Sequence, residues 1–385
     1  MRALVFHGSR DVRVDTVPDP KIERSRDAIL KVTATAICGS DLHIYNGMFP
    51  QPKPLVLGHE FMGIVEEAGP DSGLKRGERV VVPFPIACGT CWFCEHKLPT
   101  HCEQSNSRHY GPEGGLLSEK GGGLFGYTDL YGGYQGGQAQ YVRVPYANYG
   151  PRRVPEQLTD EEVLFLSDIV PTGYCGLKWA EVKPGETVAV WGCGPVGLMA
   201  QKLAWVLGAG QVIGVDIEGY RLEKAKMVAK SQVVNAREHD PVEAVRELTH
   251  GRGADVCIDA VGMEAHRNRL QKLSNLAARQ AGTLDVFETC VSAVRRGGRV
   301  SVLGVYGTRY RAPIGQLVDK AVRVQFGQAT VHSYIDELMQ LLVDHKLVAA
   351  DVISHRMPLS QAPHAYRIFN DKEDRCVKVV LDPSA

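Results

Sequence analysis

The chain has 385 residues, of which 44% are apolar and 23% are charged. A single hydrophobic core stops growing at roughly 250 to 300 residues, so this length predicts two domains. Lysine plus arginine and aspartate plus glutamate both total 44, which gives a formal net charge of zero. This balance gives no electrostatic sign of a surface that binds nucleic acid or anionic membranes, and we expect neither class of partner.

Localisation is predicted from three absences. No apolar run approaches the roughly 20 residues that a membrane-spanning helix needs. Residues 1–30 lack the apolar core of a secretory signal peptide. Six cysteines are scattered without disulfide-like pairing: Cys38, Cys175, Cys193, Cys257, Cys290 and Cys376. We therefore expect a protein of the reducing cytoplasm.

The first part of the chain, residues 1–165, is predicted to be all-β. Short β-rich pieces such as Ala28–Val32 and Arg79–Val82 are separated by glycine and proline. A glycine-heavy stretch, 111–137, precedes a strand-like segment, 138–144, and contains several tyrosines. Because disordered segments are poor in aromatic residues, we predict an ordered long loop, with a flexible linker as the alternative.

Two residues of this part are candidate ligands of a catalytic metal. Cys38 lies in the segment ICGSDLH, and His59 lies in the segment GHE. Cysteine and histidine, with a third ligand and one open position, form the ligand pattern of catalytic zinc. Taken singly, each residue is also compatible with a buried core position.

A cysteine cluster with the spacing C-x2-C-x2-C-x7-C follows. Its members are Cys88, Cys91, Cys94 and Cys102. Four thiolates complete the tetrahedron of zinc and leave no position for water, so the cluster predicts a structural zinc ion. Disulfides are the alternative, which the expected cytoplasmic location disfavours.

From Glu186 onwards, apolar strands alternate with segments of helical periodicity. The predicted elements are a strand over 187–192, a helix over 196–207, a strand over 211–216, a helix over 221–229, and further strands over 255–260, 299–304 and 323–327. This alternation predicts an α/β fold with a doubly wound parallel sheet.

A glycine fingerprint lies between the first of these strands and its helix. It comprises Gly192, Cys193, Gly194, Pro195, Val196 and Gly197. Glycines at this spacing let backbone amides and the helix N-terminus approach a pyrophosphate. Asp216 ends the next predicted strand, where a carboxylate accepts hydrogen bonds from the adenosine ribose. An acid there favours NAD over NADP, although Arg221 softens the discrimination; an ordinary strand-end role is the alternative for Asp216.

These motifs resemble the zinc-containing medium-chain alcohol dehydrogenase family over nearly the whole chain. The signature G-H-E-x2-G-x5-G stands at 58–69, and the segment DAVG stands at 259–262. The resemblance implies a β-rich GroES-like catalytic domain and a Rossmann cofactor domain. It implies a catalytic part at 1–169 with a structural zinc lobe at 85–105, an NAD-binding domain at 170–330 and a catalytic return segment at 331–385.

One segment resembles a particular branch of that family. Many members have a second cysteine where this chain reads LSDIVPTGY over 166–174. The segment is similar to the branch of glutathione-independent formaldehyde dehydrogenase and formaldehyde dismutase. That resemblance implies that Cys38, His59 and Asp168 hold the catalytic zinc, with Glu60 as a transient ligand, and that each chain binds two zinc ions.

The resemblance also implies a proton relay. Ser40 would accept the proton of the substrate hydroxyl and pass it through the cofactor ribose to His43, which delivers it to solvent. Incidental polar residues in a turn are the alternative for this pair. The implied cofactor contacts are Gly39, Ser40, His43, Thr172, Gly192, Gly194, Pro195, Val196, Gly197, Asp216, Arg221, Val261 and Val305.

The expected substrate is a small alcohol or hydrated aldehyde, such as formaldehyde or a short primary alcohol, oxidised by a homo-oligomer, a tetramer or a dimer. A polyol or amino-alcohol dehydrogenase and a non-catalytic dinucleotide-binding protein are the alternatives. The segment 263–282 is interpreted either as a cover that retains the cofactor or as a solvated charged helix. Phe84 and Trp92 are expected to be packing residues, although Phe84 falls where the family lines its pocket.

Overall fold

The structure is a computed structural model that describes residues 1–49, 51, 54–106, 121–264, 284–307 and 310–385. The chain divides into two compact units, Met1–Pro171 with Thr330–Ala385, and Thr172–Ala329. The domain boundaries expected from the sequence lie after residues 169 and 330. In the described ranges, no helix is both long and apolar enough to cross a bilayer.

The first unit opens with strands and short helices. Its elements are β1 Arg2–Gly8, β2 Asp11–Thr16, β3 Ala28–Ala36, α1 Asp41–Tyr45, β4 Leu55–Val56, β5 Glu60–Ala68, β6 Arg79–Val82, β7 Pro85–Ile86, α2 Trp92–Glu95, β8 Gly123–Leu124, β9 Tyr141–Val144, β10 Arg152–Arg153 and α3 Asp160–Val163. The three helices correct the all-β prediction for this part. At α3, Thr159 and Glu162 form a capping box that starts the helix.

Two glycines of the GHE signature bring β3 and β5 unusually close together. A Cβ on Gly63 would lie 2.2 Å from the Lys31 carbonyl oxygen, and one on Gly69 would lie 2.4 Å from that of Ser25. The strands run antiparallel, with Ala36 opposite Glu60. This register places the residues after β3 beside those before β5, where the candidate ligands lie.

The second unit is built from parallel strands joined by helices, preceded by a helix that begins in the first unit. The elements are α4 Ile169–Trp179, β11 Thr187–Trp191, α5 Pro195–Val206, β12 Gln211–Asp216, α6 Gly219–Lys224, β13 Gln232–Asn235, α7 Pro241–Leu248, β14 Ala254–Asp259, α8 Asp285–Ala293, β15 Val294–Val302, α9 Ile314–Asp319 and β16 Arg323–Phe326. The strands pair in the order β13-β12-β11-β14-β15-β16, all parallel. This is the doubly wound sheet that the sequence predicted, and its strand order reverses between β11 and β14.

The return segment closes the main sheet of the first unit. Its elements are α10 Ile335–Val343, β17 His355–Pro358, α11 Ala362–Asp371 and β18 Val379–Asp382. The sheet has the order β10-β6-β5-β3-β18-β17, and β9 also pairs with β3. Val380 of β18 lies opposite Ala36 of β3, so the last strand borders the start of the ICGSDLH segment.

Candidate active site

Four buried side chains of the first unit converge on one small space. Cys38, His59, Glu60 and Asp168 each offer one donor atom, and these atoms lie within 4.8 Å of one another. Asp168 Oδ2 lies 3.3 Å from Cys38 Sγ and 3.2 Å from His59 Nε2. The structure therefore brings together the three ligands that the sequence proposed for a catalytic metal, with Glu60 beside them.

The backbone around these residues is fixed by turns and by bonds between distant segments. Gly58, directly before His59, has φ +97°, a conformation that side chains other than glycine rarely adopt. Asp168 follows a single 3-10 turn, Leu164–Ser167, and precedes α4. Phe84 donates its amide hydrogen to the Ser167 carbonyl at 2.9 Å. His59 and Asp168 are therefore attached to constrained backbone, and their side chains need little adjustment to reach the shared space.

Asp41 holds two of the candidate ligands in place. Its Oδ2 accepts the Cys38 amide hydrogen at 3.0 Å and a hydrogen from the Gln138 amide group at 3.2 Å. Its Oδ1 lies 3.1 Å from His59 Nδ1. A carboxylate on one ring nitrogen of a histidine orients the other nitrogen toward a metal. Sequence reasoning missed Asp41; its signal was a carboxylate three positions after a candidate ligand.

The charges of this group fit a divalent cation. Burial, with the carboxylates of Asp168 and Glu60 nearby, raises the pKa of the Cys38 thiol to about 12. Burial opposes protonation of His59, but Asp41, Cys38 and its hydrogen bonds outweigh burial and raise its pKa well above the usual range. Two carboxylates and a thiolate in one buried space repel each other unless a cation joins them. Sulfur, nitrogen and carboxylate donors are those that zinc takes.

Glu60 belongs to a buried ion pair as well as to the donor group. The Lys378 ammonium donates to Glu60 Oε1 at 2.6 Å and to the Ile37 carbonyl at 3.0 Å. Both side chains are fully buried. Burial raises the pKa of Glu60, and Lys378 partly offsets that effect. Lys378 neutralises Glu60, so a zinc ion would balance the charges of Cys38 and Asp168.

Of the two proposed relay residues, Ser40 contacts the donor group and His43 lies one turn further along the chain. Ser40 precedes α1, and its Oγ lies 3.2 Å from His59 Nε2. His43, in α1, is 5% exposed, and its Nδ1 lies 3.3 Å from the Tyr127 hydroxyl. Phe49 packs edge-on against the His43 ring, with 5.8 Å between ring centroids.

The four-cysteine cluster forms a second donor group. The Sγ atoms of Cys91 and Cys94 are 3.5 Å apart, and Cys88–Cys94 and Cys91–Cys102 are each 3.9 Å apart. Thiolates about 2.3 Å from one tetrahedral zinc ion lie about 3.8 Å from each other. All ten cysteines are buried and free of disulfides, which removes the disulfide alternative. The Cys88 amide donates to Cys102 Sγ at 3.3 Å, a bond that stabilises a thiolate.

The glycine fingerprint has the backbone close approaches that a phosphate-binding turn requires. Gly192 follows β11 with φ +92°. A Cβ on Gly197 would lie 1.8 Å from the Gly192 carbonyl oxygen, so only glycine fits there. A Cβ on Gly194 would meet only the Arg221 guanidinium, at 3.7 Å. Pro195 and Val196 start α5, whose amide end is available to a phosphate.

Asp216 ends β12 and is tied to the same turn. Its Oδ2 accepts the Cys193 amide hydrogen at 2.7 Å, and its Oδ1 accepts those of Ile217 and Glu218 at 2.7 and 2.9 Å. A carboxylate offers about four acceptor sites, which leaves room for a ribose hydroxyl. Arg221 lies over the neighbouring Tyr220 ring at 5.9 Å, so Asp216 contacts the fingerprint at Cys193 and Arg221 contacts it at Gly194.

The other predicted cofactor residues are divided between the second unit and the first. Within the second unit, Val261 approaches Gly192, whose Cβ would be 2.8 Å from Val261 Cγ2, and Val305 accepts the Met263 amide hydrogen at 3.0 Å. Asp259 accepts the amides of Val261 and Gly262 at 2.9 Å each. Thr172 lies in α4, and Gly39 lies in the first unit, where a Cβ on it would meet nothing within 4 Å.

The remaining candidates have mixed outcomes. Phe84 packs edge-on against His59, with ring centroids 5.8 Å apart, so it borders the candidate site. Trp92 is 56% exposed and stacks on His96 at the surface of the cysteine lobe. Most of the segment 263–282, from residue 265 onwards, lies outside the described residues.

Known proteins resemble this chain along its whole length. Residues 24–155 match the alcohol dehydrogenase GroES-like domain, and residues 195–279 match the zinc-binding dehydrogenase domain. The chain is 45% identical to an uncharacterized zinc-type alcohol dehydrogenase-like protein, AdhB, of Bacillus subtilis, covering 100% of both. It is 35% identical to formaldehyde dismutase of Pseudomonas putida, over 99% of this chain and 97% of that protein. The solved alcohol dehydrogenase TADH from Thermus sp. ATN1 shares 36% identity and a TM-score of 0.85, covering 99% of each chain.

Proposed function

The chain belongs to the zinc-containing alcohol dehydrogenase family, and from this premise we propose that it transfers hydride from a small alcohol or hydrated aldehyde to NAD. The observation that carries the proposal is the buried group of Cys38, His59 and Asp168, with Ser40 Oγ at 3.2 Å from its histidine. Three protein ligands and an adjacent hydroxyl match the needs of alcohol oxidation, because the fourth position is left for the substrate oxygen.

In the proposed reaction, the protein residues hold the substrate and remove its proton. Cys38, His59 and Asp168 would hold zinc, whose Lewis acidity would favour loss of the substrate hydroxyl proton and of hydride from the adjacent carbon. Ser40 would accept that hydroxyl proton, and His43 would deliver it to solvent. Phe84, edge-on to His59, forms an apolar wall beside the substrate position.

For the cofactor, we propose NAD in preference to NADP. The Asp216 carboxylate, at the end of β12, repels a phosphate on the neighbouring ribose hydroxyl, while its remaining acceptor site suits the free hydroxyl. We expect a preference of at least about tenfold, on the order of 1.4 kcal/mol. Comparing kcat/KM with both cofactors tests this: Asp216→Ala should erode the preference, and equal efficiencies in the unmodified protein would contradict it.

For the substrate, we propose formaldehyde hydrate or a short primary alcohol. Support comes from the carboxylate ligand Asp168 and from the 35% identity to formaldehyde dismutase. A carboxylate donates less electron density than a thiolate, so zinc stays more electrophilic toward a gem-diol hydroxyl. Oxidation of the hydrate yields formate, with the two electrons and one hydrogen delivered to NAD as hydride.

A substrate panel tests this proposal. Zinc-loaded protein is assayed by NADH absorbance with formaldehyde, ethanol and benzyl alcohol, and with a polyol and threonine for comparison, without added glutathione. We expect the first three to have the higher kcat/KM. Far higher efficiency with the polyol or threonine would reject the substrate class while leaving the dehydrogenase chemistry intact. Interconversion of an alcohol and an aldehyde without free NAD would indicate a dismutase instead.

We also propose a cytoplasmic homo-oligomer, a dimer or a tetramer. Reduced cysteines throughout the chain support a reducing compartment. In the described part of the second unit, β16 ends the sheet and pairs with β15 alone, and Phe326 on it is 52% exposed. A sheet edge that is unpaired on one side favours strand pairing with a second copy. Light scattering after gel filtration should give a dimer or tetramer mass; a monomer would contradict the proposal.

A further inference from the structure

Tyr127 lies in the middle of the cluster of rings around the two site histidines. Its hydroxyl is 3.3 Å from His43 Nδ1, and its ring meets that of His59 edge-on, with 6.4 Å between centroids. Phe49 and Tyr131 pack on it at 6.1 and 5.6 Å. Tyr127 is only 7% exposed, so its orientation is determined by these neighbours.

The backbone that carries Tyr127 is locked to the backbone that carries His59. Gly126 has φ +50°, and a Cβ on it would lie 2.5 Å from the Gly58 carbonyl oxygen. Gly137 donates its amide hydrogen to that same Gly58 oxygen at 2.8 Å. A Cβ on Gly136 would lie 2.2 Å from the Leu57 carbonyl oxygen, so Gly126 and Gly136 both pack directly on the turn before His59, and a side chain at either position would separate the two segments.

Two further backbone hydrogen bonds link the glycine-rich stretch 121–137 to Ser167, the residue before Asp168. Phe125 donates its amide hydrogen to the Phe84 carbonyl at 3.3 Å, and the Phe84 amide binds the Ser167 carbonyl at 2.9 Å. Tyr127 is thus held in register with both His59 and Asp168 by main-chain contacts. The position of its hydroxyl then follows from the packing of its ring against Phe49, His59 and Tyr131.

We propose that Tyr127 is a positioning residue for the proposed reaction, holding the His43 imidazole in one tautomer and one orientation through Nδ1. In this arrangement His43 Nδ1 carries the proton and donates it to the Tyr127 hydroxyl oxygen, which leaves the lone pair of Nε2 free to receive the relayed proton. The edge-on contact with the His59 ring keeps the Tyr127 ring in place beside the site. This inference rests on the proposed function, because it assigns a task to the relay.

The test compares Tyr127→Phe with Tyr131→Phe, a matched control that removes the hydroxyl of the neighbouring ring. Tyr127→Phe should lower kcat for alcohol oxidation about threefold to tenfold, the range of one net hydrogen bond. Both zinc equivalents should remain, and KM should change less than about twofold. Tyr131→Phe should behave like the unmodified protein. Equal losses in both variants would overturn the proposal, because packing alone would then explain them.

A double-mutant cycle separates positioning from general structural damage. In a His43→Gln background, Tyr127→Phe should change kcat by less than about twofold, because its effect passes through His43. A loss as large as that in the unmodified background would overturn the proposal.

A spectroscopic readout keeps the test independent of turnover. With ¹⁵N-labelled histidine, the His43 ring resonances, assigned by their loss in His43→Gln, should shift toward a mixed tautomer in Tyr127→Phe. Unchanged resonances would overturn the inference. If no alcohol is oxidised but the resonances shift, the proposed function fails and the positioning contact stands.

Discussion

Asp41 binds the backbone of Cys38 and faces the imidazole of His59 through opposite oxygens of one carboxylate. The side chain of asparagine cannot accept a hydrogen at both contacts, because its nitrogen is a donor. Lys378 similarly serves Glu60 and the Ile37 carbonyl. Asp41 and Lys378 therefore determine how Cys38, His59 and Glu60 are presented to the site.

Replacing Asp41 by asparagine should weaken the candidate catalytic metal centre without disturbing the cysteine lobe. Loss of a carboxylate behind a metal-binding histidine typically lowers metal affinity about 10-fold to 100-fold. Competition with a chelator should show one weakened and one unchanged zinc equivalent. Asp71→Asn, at an exposed position, is the control. Two equally tight ions in Asp41→Asn would show that Asp41 does not support the centre.

Replacing His43 by glutamine should slow the reaction without removing metal. Glutamine retains polar atoms but does not titrate, so proton release must find a slower route. We expect a loss of about tenfold to a thousandfold in kcat near neutral pH, with partial recovery at high pH, where hydroxide accepts the proton. Zinc content measured on the same sample should stay at two per chain; a missing ion would mean that His43 is itself a ligand.

Backbone contact between glycines organises both candidate sites at the level of elements. In the second unit, the turn from β11 to α5 is closed by Gly197 against the Gly192 oxygen. In the first unit, Gly126 and Gly58 meet in the same manner. Each contact brings two main-chain segments closer together than any residue with a Cβ permits. Each also lies directly beside residues of a candidate site.

Gly197→Ala should therefore destabilise the second unit and abolish NADH binding. Its added methyl group would lie 1.8 Å from the Gly192 oxygen, and overpacking of this kind costs about 1–3 kcal/mol or more. Gly219→Ala is the matched control, since a Cβ there meets nothing within 4 Å. That control should gain up to about 1 kcal/mol by restricting the unfolded chain. Thermal unfolding and NADH fluorescence measure both; normal NADH binding by Gly197→Ala would refute the turn's role.

Sequence patterns correctly predicted those strands that form mainly because of residues adjacent to one another in the chain. The strands Arg79–Val82 and Gln211–Asp216 have the predicted bounds, because β-branched residues and flanking turns mark both. The prediction of a helix over 221–229 was less accurate, because α6 begins at Gly219 and residues 225–229 form a π-helical turn. No local pattern marks Tyr127 or Lys378, whose partners lie 84 and 318 positions away. Asp168 was identified only through family resemblance, since a single aspartate before a helix has many other uses.

At the scale of the whole molecule, the first unit contains two separate donor groups, one of four cysteines and one of mixed ligands. The cysteines contribute to the same hydrophobic core as Phe61 and Val142. A zinc ion there supports folding of the surrounding sheet, whereas one at the mixed group leaves room for substrate.

Cys94→Ser should accordingly affect stability more than turnover. Loss of one thiolate opens the tetrahedron, so we expect one zinc ion per chain and a lower melting temperature, with kcat of the remaining folded protein little changed. Cys290→Ala, which removes a buried sulfur outside both donor groups, should retain two ions. Metal analysis with calorimetry distinguishes the outcomes; two tightly held ions in Cys94→Ser would show that the cluster is not the structural site.

The ion pair of Glu60 and Lys378 has a consequence for biosynthesis. Their 318-residue separation means that the whole second unit leaves the ribosome before the lysine does. Until then, the Glu60 carboxylate has no cation beside it, and β18 is not yet available to cover β3. The nascent chain can close its cysteine lobe early, but the mixed-ligand centre can be buried only after translation has passed residue 378. The order of the chain therefore makes the burial of the mixed-ligand centre a late step of folding.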